Sequence, residues 1–101
     1  MIINTPKPPY YAVIFTSILN EDPKDYEEEA ETVLNLAQSQ TGFLGIESAR
    51  DVLGISVTYW DSLESIQKWS QNTRHAIAKK KGKTDFYKAY RTRISKVERE
   101  Y

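Results

Sequence analysis

The middle of the chain reads FLGIESARDVLGISVTYW across residues 43–60. Two runs of strand-forming residues, 43–50 and 54–60, flank a connection that is short enough for a hairpin. The second run has the two-residue period of a strand, with Ile55, Val57 and Tyr59 on one face and Ser56, Thr58 and Trp60 on the other. The stretch therefore predicts two antiparallel strands that are neighbours in one sheet.

The segment before this hairpin predicts a strand followed by a helix. Residues 10–19 are largely apolar on both faces of the expected strand, so we expect it to be covered on both sides. A helix then begins near Asp22, which can cap it, with Pro23 at its first position. We expect this helix to end near Gln40, because Gly42 favours a helix stop.

The segment after the hairpin predicts a second helix and a last strand. Asp61 is the expected N-terminal cap, and Glu64 lies three residues further on, which is the spacing of a capping box. The polar residues 71–73 are expected to weaken or kink this helix. A short turn at residues 85–87 is expected before the last strand, residues 89–98.

Six elements in the order β-α-β-β-α-β predict the α+β, ferredoxin-like fold. Right-handed crossovers place both helices on one face of a four-stranded antiparallel sheet. We expect one domain at residues 10–101 and an extended arm at residues 1–9, which hold three of the four prolines. A 101-residue chain has nothing left to cover the second sheet face, and an exposed apolar face favours a partner. We therefore expect a homodimer in which two sheets close face to face.

Composition argues against several classes of function. Fourteen basic residues balance fourteen acidic ones, and zero net charge argues against nucleic-acid binding. The lysine-rich run at residues 79–83 is a local basic patch, for which a solvated loop is the simpler interpretation. The absence of cysteine excludes disulfides and thiolate metal sites. No apolar run approaches the ~20 residues that span a membrane and none resembles a signal peptide, so we expect a cytoplasmic protein without membrane contact.

Four features of the chain form a recognisable set: YYAVIFTS at 10–17, GFLGIES at 42–48, YWDS at 59–62 and the spaced residues Trp69, His75, Gly82 and Tyr87. In this order they resemble the antibiotic biosynthesis monooxygenase (ABM) domain of the dimeric α/β-barrel superfamily. The resemblance extends over residues 10–101 and looks strongest with uncharacterised bacterial members. It implies a dimeric α/β barrel and three kinds of chemistry. Some members oxidise polycyclic aromatic compounds with O₂ and no cofactor, some bind and open haem, and others have no established reaction.

The haem-degrading branch of the family places an Asn in the first strand, a Trp in the second helix and a haem-ligating His ten residues after that Trp. In this chain Trp69 matches the Trp, whereas Lys79 stands at the position of the His. The region of the Asn holds Phe15, Thr16 and Ser17. His75 comes about 6 Å too early along the helix axis to replace the missing ligand.

Trp69 and His75 are the candidate catalytic residues. His75 is the only histidine, and a histidine can take or give a proton near neutral pH. The alternative is a helix-end histidine that interacts with the helix dipole. Trp69 can stack on a flat ligand, or it can pack as a core residue between the second helix and the sheet.

Five further residues are candidates for substrate binding. Four are aromatic residues that could form a wall between helices and sheet, with core or dimer packing as the alternative: Phe15, Tyr59, Tyr87 and Tyr90. The fifth is Arg91, which shares a strand face with Arg93 and can hold a substrate carboxylate or enolate. The alternative for Arg91 is an ion pair across subunits.

The first hypothesis is therefore a cofactor-independent monooxygenase that acts on a small aromatic or polycyclic compound without a bound metal or flavin. Its pocket would lie between the sheet and the second helix. The second hypothesis is a non-enzymatic dimer that binds a small aromatic ligand or serves in a stress response. The third is a divergent haem-binding and haem-degrading monooxygenase.

Overall fold

A computed structural model describes residues 2–21, 25–78 and 86–101. Six elements follow one another along the chain: β1 (Tyr10–Leu19), α1 (Tyr26–Ser39), β2 (Phe43–Arg50), β3 (Gly54–Trp60), α2 (Leu63–Ala78) and β4 (Tyr87–Val97). The four strands form one antiparallel sheet in the order β2-β3-β1-β4. The predicted α+β, ferredoxin-like fold and the predicted hairpin are confirmed.

Strand pairing assigns each side chain to one of two sheet faces, because directly paired residues share a face. Tyr11 pairs with Trp60, and Trp60 packs beneath α2, so this is the face that the helices cover. We call it the helix face. The opposite face, which we call the open face, carries the other residues of the central strands: Tyr10, Ala12, Ile14, Thr16, Ile18, Ile55, Val57 and Tyr59.

The buried core lies between the helices and the β2–β3 side of the sheet. It consists of Val13, Ala37, Trp60 and Ile66, with Tyr11, Phe43 and Trp69 packed against it. Trp60 is fully buried, and its indole N–H donates to the Thr58 hydroxyl at 2.9 Å. The expectation that β1 is buried on both sides is confirmed, since Ala12 and Val13 lie on opposite faces and both are buried.

The last strand, β4, is one of the two edge strands of the sheet and is exposed from Lys88 to Lys96. Charged side chains along an edge strand oppose pairing with a foreign strand. β4 begins at Tyr87, so the predicted turn at residues 86–87 is wrong, and pairing with Leu19 of β1 has drawn Tyr87 into the sheet. Residue 85 lies outside the described residues.

The arm before β1 crosses the open face and is anchored by glutamates. The Ile3 backbone N–H and the Tyr59 hydroxyl both donate to the carboxylate of Glu47, at 3.1 and 2.7 Å. The Tyr10 hydroxyl donates to Glu100 at 2.7 Å, which ties the C-terminal residues to the same face. Burial and the bond to Glu47 raise the pKa of Tyr59 to about 12, and the Tyr59 hydrogen bond lowers the pKa of Glu47.

The structure answers three expectations about the helices, which concern the cap of α2, the middle of α2 and the end of α1. The cap of α2 is Ser62, whose hydroxyl accepts the Ser65 backbone N–H at 3.1 Å, whereas Asp61 accepts only the Ser65 hydroxyl. Residues 71–73, which are expected to weaken or kink α2, do not interrupt it, because the helix continues through them to Ala78. α1 ends at Ser39 with Gln40 as its extended C-cap, as expected, whereas Gly42, with a φ of 95°, lies two residues beyond the cap in the turn that leads to β2.

Other expectations fall on parts of the chain that the structure does not describe. The cap and first position assigned to Asp22 and Pro23, and the lysine-rich run at residues 79–83, lie outside the described residues. Within the described residues, no helix is both long enough and apolar enough to cross a membrane.

Candidate functional site

Aromatic rings gather on the helix face where β1, β4 and α1 meet. Phe15 contacts Tyr87 at 5.2 Å and Tyr90 at 5.8 Å between ring centroids. Tyr26, in the first turn of α1, meets Tyr87 edge to face at 5.9 Å and Phe86 at 6.1 Å. We call Phe15, Tyr26, Phe86, Tyr87 and Tyr90 the aromatic cluster. Such a group of rings offers flat surfaces and edges against which an aromatic ligand packs well.

Tyr87 supplies the cluster with a hydroxyl that stays protonated. Burial, together with the neighbouring Tyr26, raises the pKa of Tyr87 to about 12, against an opposing effect of the Arg50 charge. A phenol with so high a pKa keeps its proton at neutral pH and can act as a hydrogen-bond donor. Tyr90, by contrast, is largely exposed at the edge of the cluster.

Arg50 lies beside the aromatic cluster, in a row of four paired residues that contains one residue from each strand of the sheet. Arg50 pairs with Gly54, Gly54 pairs with Ser17, and Ser17 pairs with Tyr90, so all four share the helix face. The Arg50 side chain lies across Gly54, where a Cβ atom would overlap its guanidinium. Its Nη1 donates to the Ser17 carbonyl at 3.3 Å, and its Nη2 donates to the Ser17 hydroxyl.

The guanidinium of Arg50 also lies over the ring of Tyr26, with 5.6 Å between Cζ and the ring centroid. This distance is within the range of a cation–π interaction. Beside the pair is an open groove of about 580 Å³, and its walls come from the end of β1, the start of α1 and the end of β2. The lining residues are Leu19, Asp25, Tyr26, Glu27, Glu28 and Arg50.

The two candidate catalytic residues lie in different surroundings. Trp69 stacks on Trp60 at 5.0 Å with an interplanar angle of 28°, and its indole N–H donates to the Val33 carbonyl at 3.4 Å. These contacts give it a packing role between α1, α2 and the sheet. His75 is exposed in the last turn of α2, and it has no hydrogen bond or ion pair with any described residue.

The substrate-binding candidates divide between the two faces. The structure brings Phe15, Tyr87 and Tyr90 together in the aromatic cluster. Tyr59 lies on the open face beside Tyr10, so its expected place in a wall between helices and sheet is wrong. The cause is the strict alternation of β3, which sends Tyr59 away from its neighbour Trp60. Arg91 pairs with Thr16 and also lies on the open face.

Sequence reasoning missed Arg50, Ser17 and Tyr26 as parts of one site. A signal was present, because Gly54 stands at the start of a strand, where glycine often marks the close approach of another group. The glycine alone does not show which group approaches it. The pairing register decides this, because it places Arg50 and Ser17 on either side of Gly54.

Gly54→Ala should lower the free energy of unfolding by about 1–2 kcal/mol, because it leaves polar atoms of the buried Ser17 without their partner. The backbone should remain in place, since the displaced group is the far end of a flexible side chain. Urea unfolding of Gly54→Ala, Arg50→Ala and the double variant measures the coupling. The double variant should lose no more stability than Arg50→Ala alone, and fully additive losses would contradict this arrangement.

Comparison with known proteins agrees with this fold, in which two helices cover one face of a four-stranded antiparallel sheet. The family model for antibiotic biosynthesis monooxygenase matches residues 9–81. The uncharacterised protein YqjZ of Bacillus subtilis (strain 168) is 49% identical over 98 residues, which cover 95% of this chain and 86% of that protein. This chain belongs to the antibiotic biosynthesis monooxygenase family.

Two solved structures are similar to this chain in fold at low sequence identity. SnoaB, a cofactor-independent oxygenase from Streptomyces nogalater, is similar with a TM-score of 0.63 at 8% identity, over 93% of this chain and 96% of that one. A MhuD variant with two manganese protoporphyrin IX molecules per active site has a TM-score of 0.70 at 18% identity, over 90% of this chain and 97% of that one. At these identities the likeness concerns the fold.

Proposed function

We propose that this chain is a monooxygenase of the ABM family that oxidises a small aromatic compound with O₂ and without a cofactor. The observation that carries the proposal is the aromatic cluster on the helix face beside the guanidinium of Arg50. The rings supply packing surface for a flat substrate, and the arginine supplies positive charge for an anion formed from it. SnoaB, which shares the fold, is described as a cofactor-independent oxygenase.

In the proposed reaction a base removes a proton from a CH₂ group that the aromatic rings activate. The resulting carbanion passes one electron to O₂, and the two radicals combine to a peroxide. Loss of water then leaves a ketone, so that R₂CH₂ and O₂ give R₂C=O and H₂O. His75 is the proposed base, since it is the only histidine and has no bonded partner among the described residues.

Phe15, Tyr87 and Tyr90 are proposed to bind the substrate, and Trp69 to act from α2 by holding the helix against the sheet. Trp69, predicted as a catalytic residue, is therefore proposed as a positioning residue, because its ring already stacks on Trp60. Tyr59 and Arg91 face the opposite side of the sheet. A substrate role for them therefore requires a second site or a partner subunit.

Oxygen consumption with a series of anthrone-like compounds, each with a CH₂ group between aromatic rings, tests the proposal. His75→Ala should reduce the rate at least about 100-fold, within the range that general acid–base catalysis contributes. Arg74→Ala removes the neighbouring exposed side chain of α2 and serves as the matched control. If the compounds bind but no oxygen is consumed, the chain is a non-enzymatic ligand-binding protein instead.

The haem-binding alternative can be tested by the Soret absorption band of added haemin. Phe15 and Ser17 stand in the region of the family's haem-branch Asn, and both are engaged, Phe15 with Tyr87 and Ser17 with Arg50. Position 79, which carries Lys in place of the haem ligand, lies outside the described residues. Titration with haemin should therefore give no Soret shift. A Soret band that disappears in His75→Ala would establish the haem-binding function.

We further propose that the protein is a cytoplasmic homodimer whose subunits meet through their open faces. The expectation that nothing covers the open face is wrong in part, because the arm crosses it at Ile3 and Ala12 is buried there. Ile55, on the same face, is 43% exposed and is left for a partner to cover. An exposed apolar sheet face in so small a domain gains stability when a second copy covers it.

A further inference from the structure

We propose that the two-fold axis of the dimer runs along the strands, so that Arg93 of each subunit forms an ion pair with Glu47 of the partner subunit. The inference rests on the proposed open-face dimer in one respect, since a second copy must cover that face. It adds the direction of the symmetry axis and the charged contact that fixes this direction.

The first support is the distribution of charge over the open face. Among the paired strand residues of that face, the charged ones are Glu47 on β2 and Arg91 and Arg93 on β4. Because β2 and β4 are the two edges of the sheet, the acid lies at one edge and the arginines at the other. Both arginines are exposed, and neither forms an ion pair with a described residue. A partner that covers this face must therefore bring negative charge to β4, because an unpaired charge is costly to bury.

The second support is the level of these residues along the strands. One row of paired residues crosses all four strands on the open face: Glu47, Val57, Ile14 and Arg93. The middle of the sheet lies between β3 and β1. A two-fold axis that runs along the strands at this middle keeps the level of every residue and exchanges the two edges. It therefore sets Arg93 opposite Glu47 of the partner subunit, twice in each dimer.

An axis that runs across the strands would bring like charges together. It places each strand opposite its own copy, so that the arginines of β4 face the same arginines in the second subunit. Like charges that meet in an interface oppose association strongly. The charge pattern of the open face therefore favours the axis along the strands.

The third support is that Glu47 is charged, fixed and within reach. Its carboxylate accepts the Tyr59 hydroxyl at 2.7 Å and the Ile3 backbone N–H at 3.1 Å, and the Tyr59 bond lowers its pKa. An ionised carboxylate has about four acceptor sites, so it can also accept an arginine. Stacked sheets lie about 10 Å apart, a gap that an arginine and a glutamate side chain bridge together.

The arm also fits between the sheets in this arrangement. Ile3 lies directly over Gly45, where a Cβ atom would be 2.6 Å from the Ile3 Cδ1 atom. The row of paired residues that begins at Gly45 ends at Ser95 on β4. The axis along the strands therefore sets the small side chain of Ser95 of the partner subunit opposite the arm.

Charge exchange between two variants tests the inference. Arg93→Glu should raise the dimer Kd at least about 100-fold, because glutamates then face each other at two places in each dimer. Glu47→Arg should do the same with two pairs of arginines. In light scattering at micromolar concentration, each variant alone should give a mass near 11.7 kDa. An equimolar mixture should give twice that mass, because every glutamate at these two positions then faces an arginine.

Three controls accompany this experiment. Lys96→Glu reverses a charge on the same strand, but Lys96 pairs with Tyr11 on the helix face, so the dimer Kd should not change. Glu47→Gln removes the charge and keeps an acceptor for Tyr59, and it should raise the Kd about three- to tenfold, since two ion pairs become neutral contacts. Circular dichroism of each variant verifies that the fold is intact.

The outcomes separate this inference from the proposed dimer. A mixed dimer that forms from two monomeric variants supports the inference, whatever oxygen consumption shows. If the unaltered protein is a dimer but the mixture stays monomeric, or Arg93→Glu dimerises as tightly as the unaltered protein, the axis is wrong and the open-face dimer stands. A monomeric unaltered protein overturns both.

Discussion

Trp60→Ala should lower the free energy of unfolding by about 3–5 kcal/mol, the usual cost of removing a large buried aromatic side chain. Trp60 is fully buried and holds the centre of the core, where Phe43 meets it edge to face at 5.3 Å and Trp69 stacks on it at 5.0 Å. A cavity beneath α2 cannot close without moving the helix, so relaxation should recover little of the loss.

Thermal unfolding followed by circular dichroism measures this effect. For a domain of this size each kcal/mol shifts Tm by about 4–8 °C, so Tm should fall by at least about 12 °C. Tyr101→Ala removes a fully exposed aromatic ring and should change Tm little. Trp60→Phe, which keeps an aromatic ring in the site, should cost less than Trp60→Ala. A Trp60→Ala variant as stable as Tyr101→Ala would show that the core lies elsewhere.

Ile55→Asp should convert the proposed dimer to monomers. Ile55 and Val57 are neighbours on the open face of β3, which points away from the helices. Dimerisation would bury the new carboxylate against apolar side chains, and burying an unpaired charge costs several kcal/mol. The dimer Kd should therefore rise at least about 100-fold, which corresponds to about 2.7 kcal/mol.

Ile94→Asp provides a matched control for this experiment. Ile94 pairs with Val13 and so lies on the helix face, and it is 55% exposed against 43% for Ile55. Light scattering should give twice the 11.7 kDa chain mass for the unaltered protein and for Ile94→Asp, and a mass near 11.7 kDa for Ile55→Asp. A monomeric unaltered protein at micromolar concentration, or equal behaviour of the two variants, would refute face-to-face dimerisation.

Both experiments depend on the alternation of side chains along β3, which sends Trp60 into the core and Ile55 to the open face. The sequence shows this alternation directly, because Ile55, Val57 and Tyr59 interleave with polar residues and Trp60. The same alternation places Tyr59 on the open face, away from Phe15. Aromatic character alone does not show which face of the sheet a side chain occupies.

The ends of the elements show a second limit of sequence reasoning. Asp61 and Ser62 are both good helix caps, and the sequence does not choose between them. The structure selects Ser62, and Asp61 instead accepts the Ser65 hydroxyl close to Gly42. Similarly, Asn72 and Thr73 have a lower helix preference than Gln71, but α2 continues through all three, and Asn72 donates to the Gln40 side chain at 3.2 Å.

The sequence by itself determined the order of elements, the hairpin, the end of α1 near Gln40 and the family, because periodicity and turn residues act over a few positions along the chain. Only the tertiary structure decided that Trp69 packs on Trp60 and that Arg50 reaches Ser17 across Gly54. Arg50 and Ser17 are 33 residues apart in sequence. Strand register brings them together, and register follows from the pairing of whole strands rather than from any local pattern.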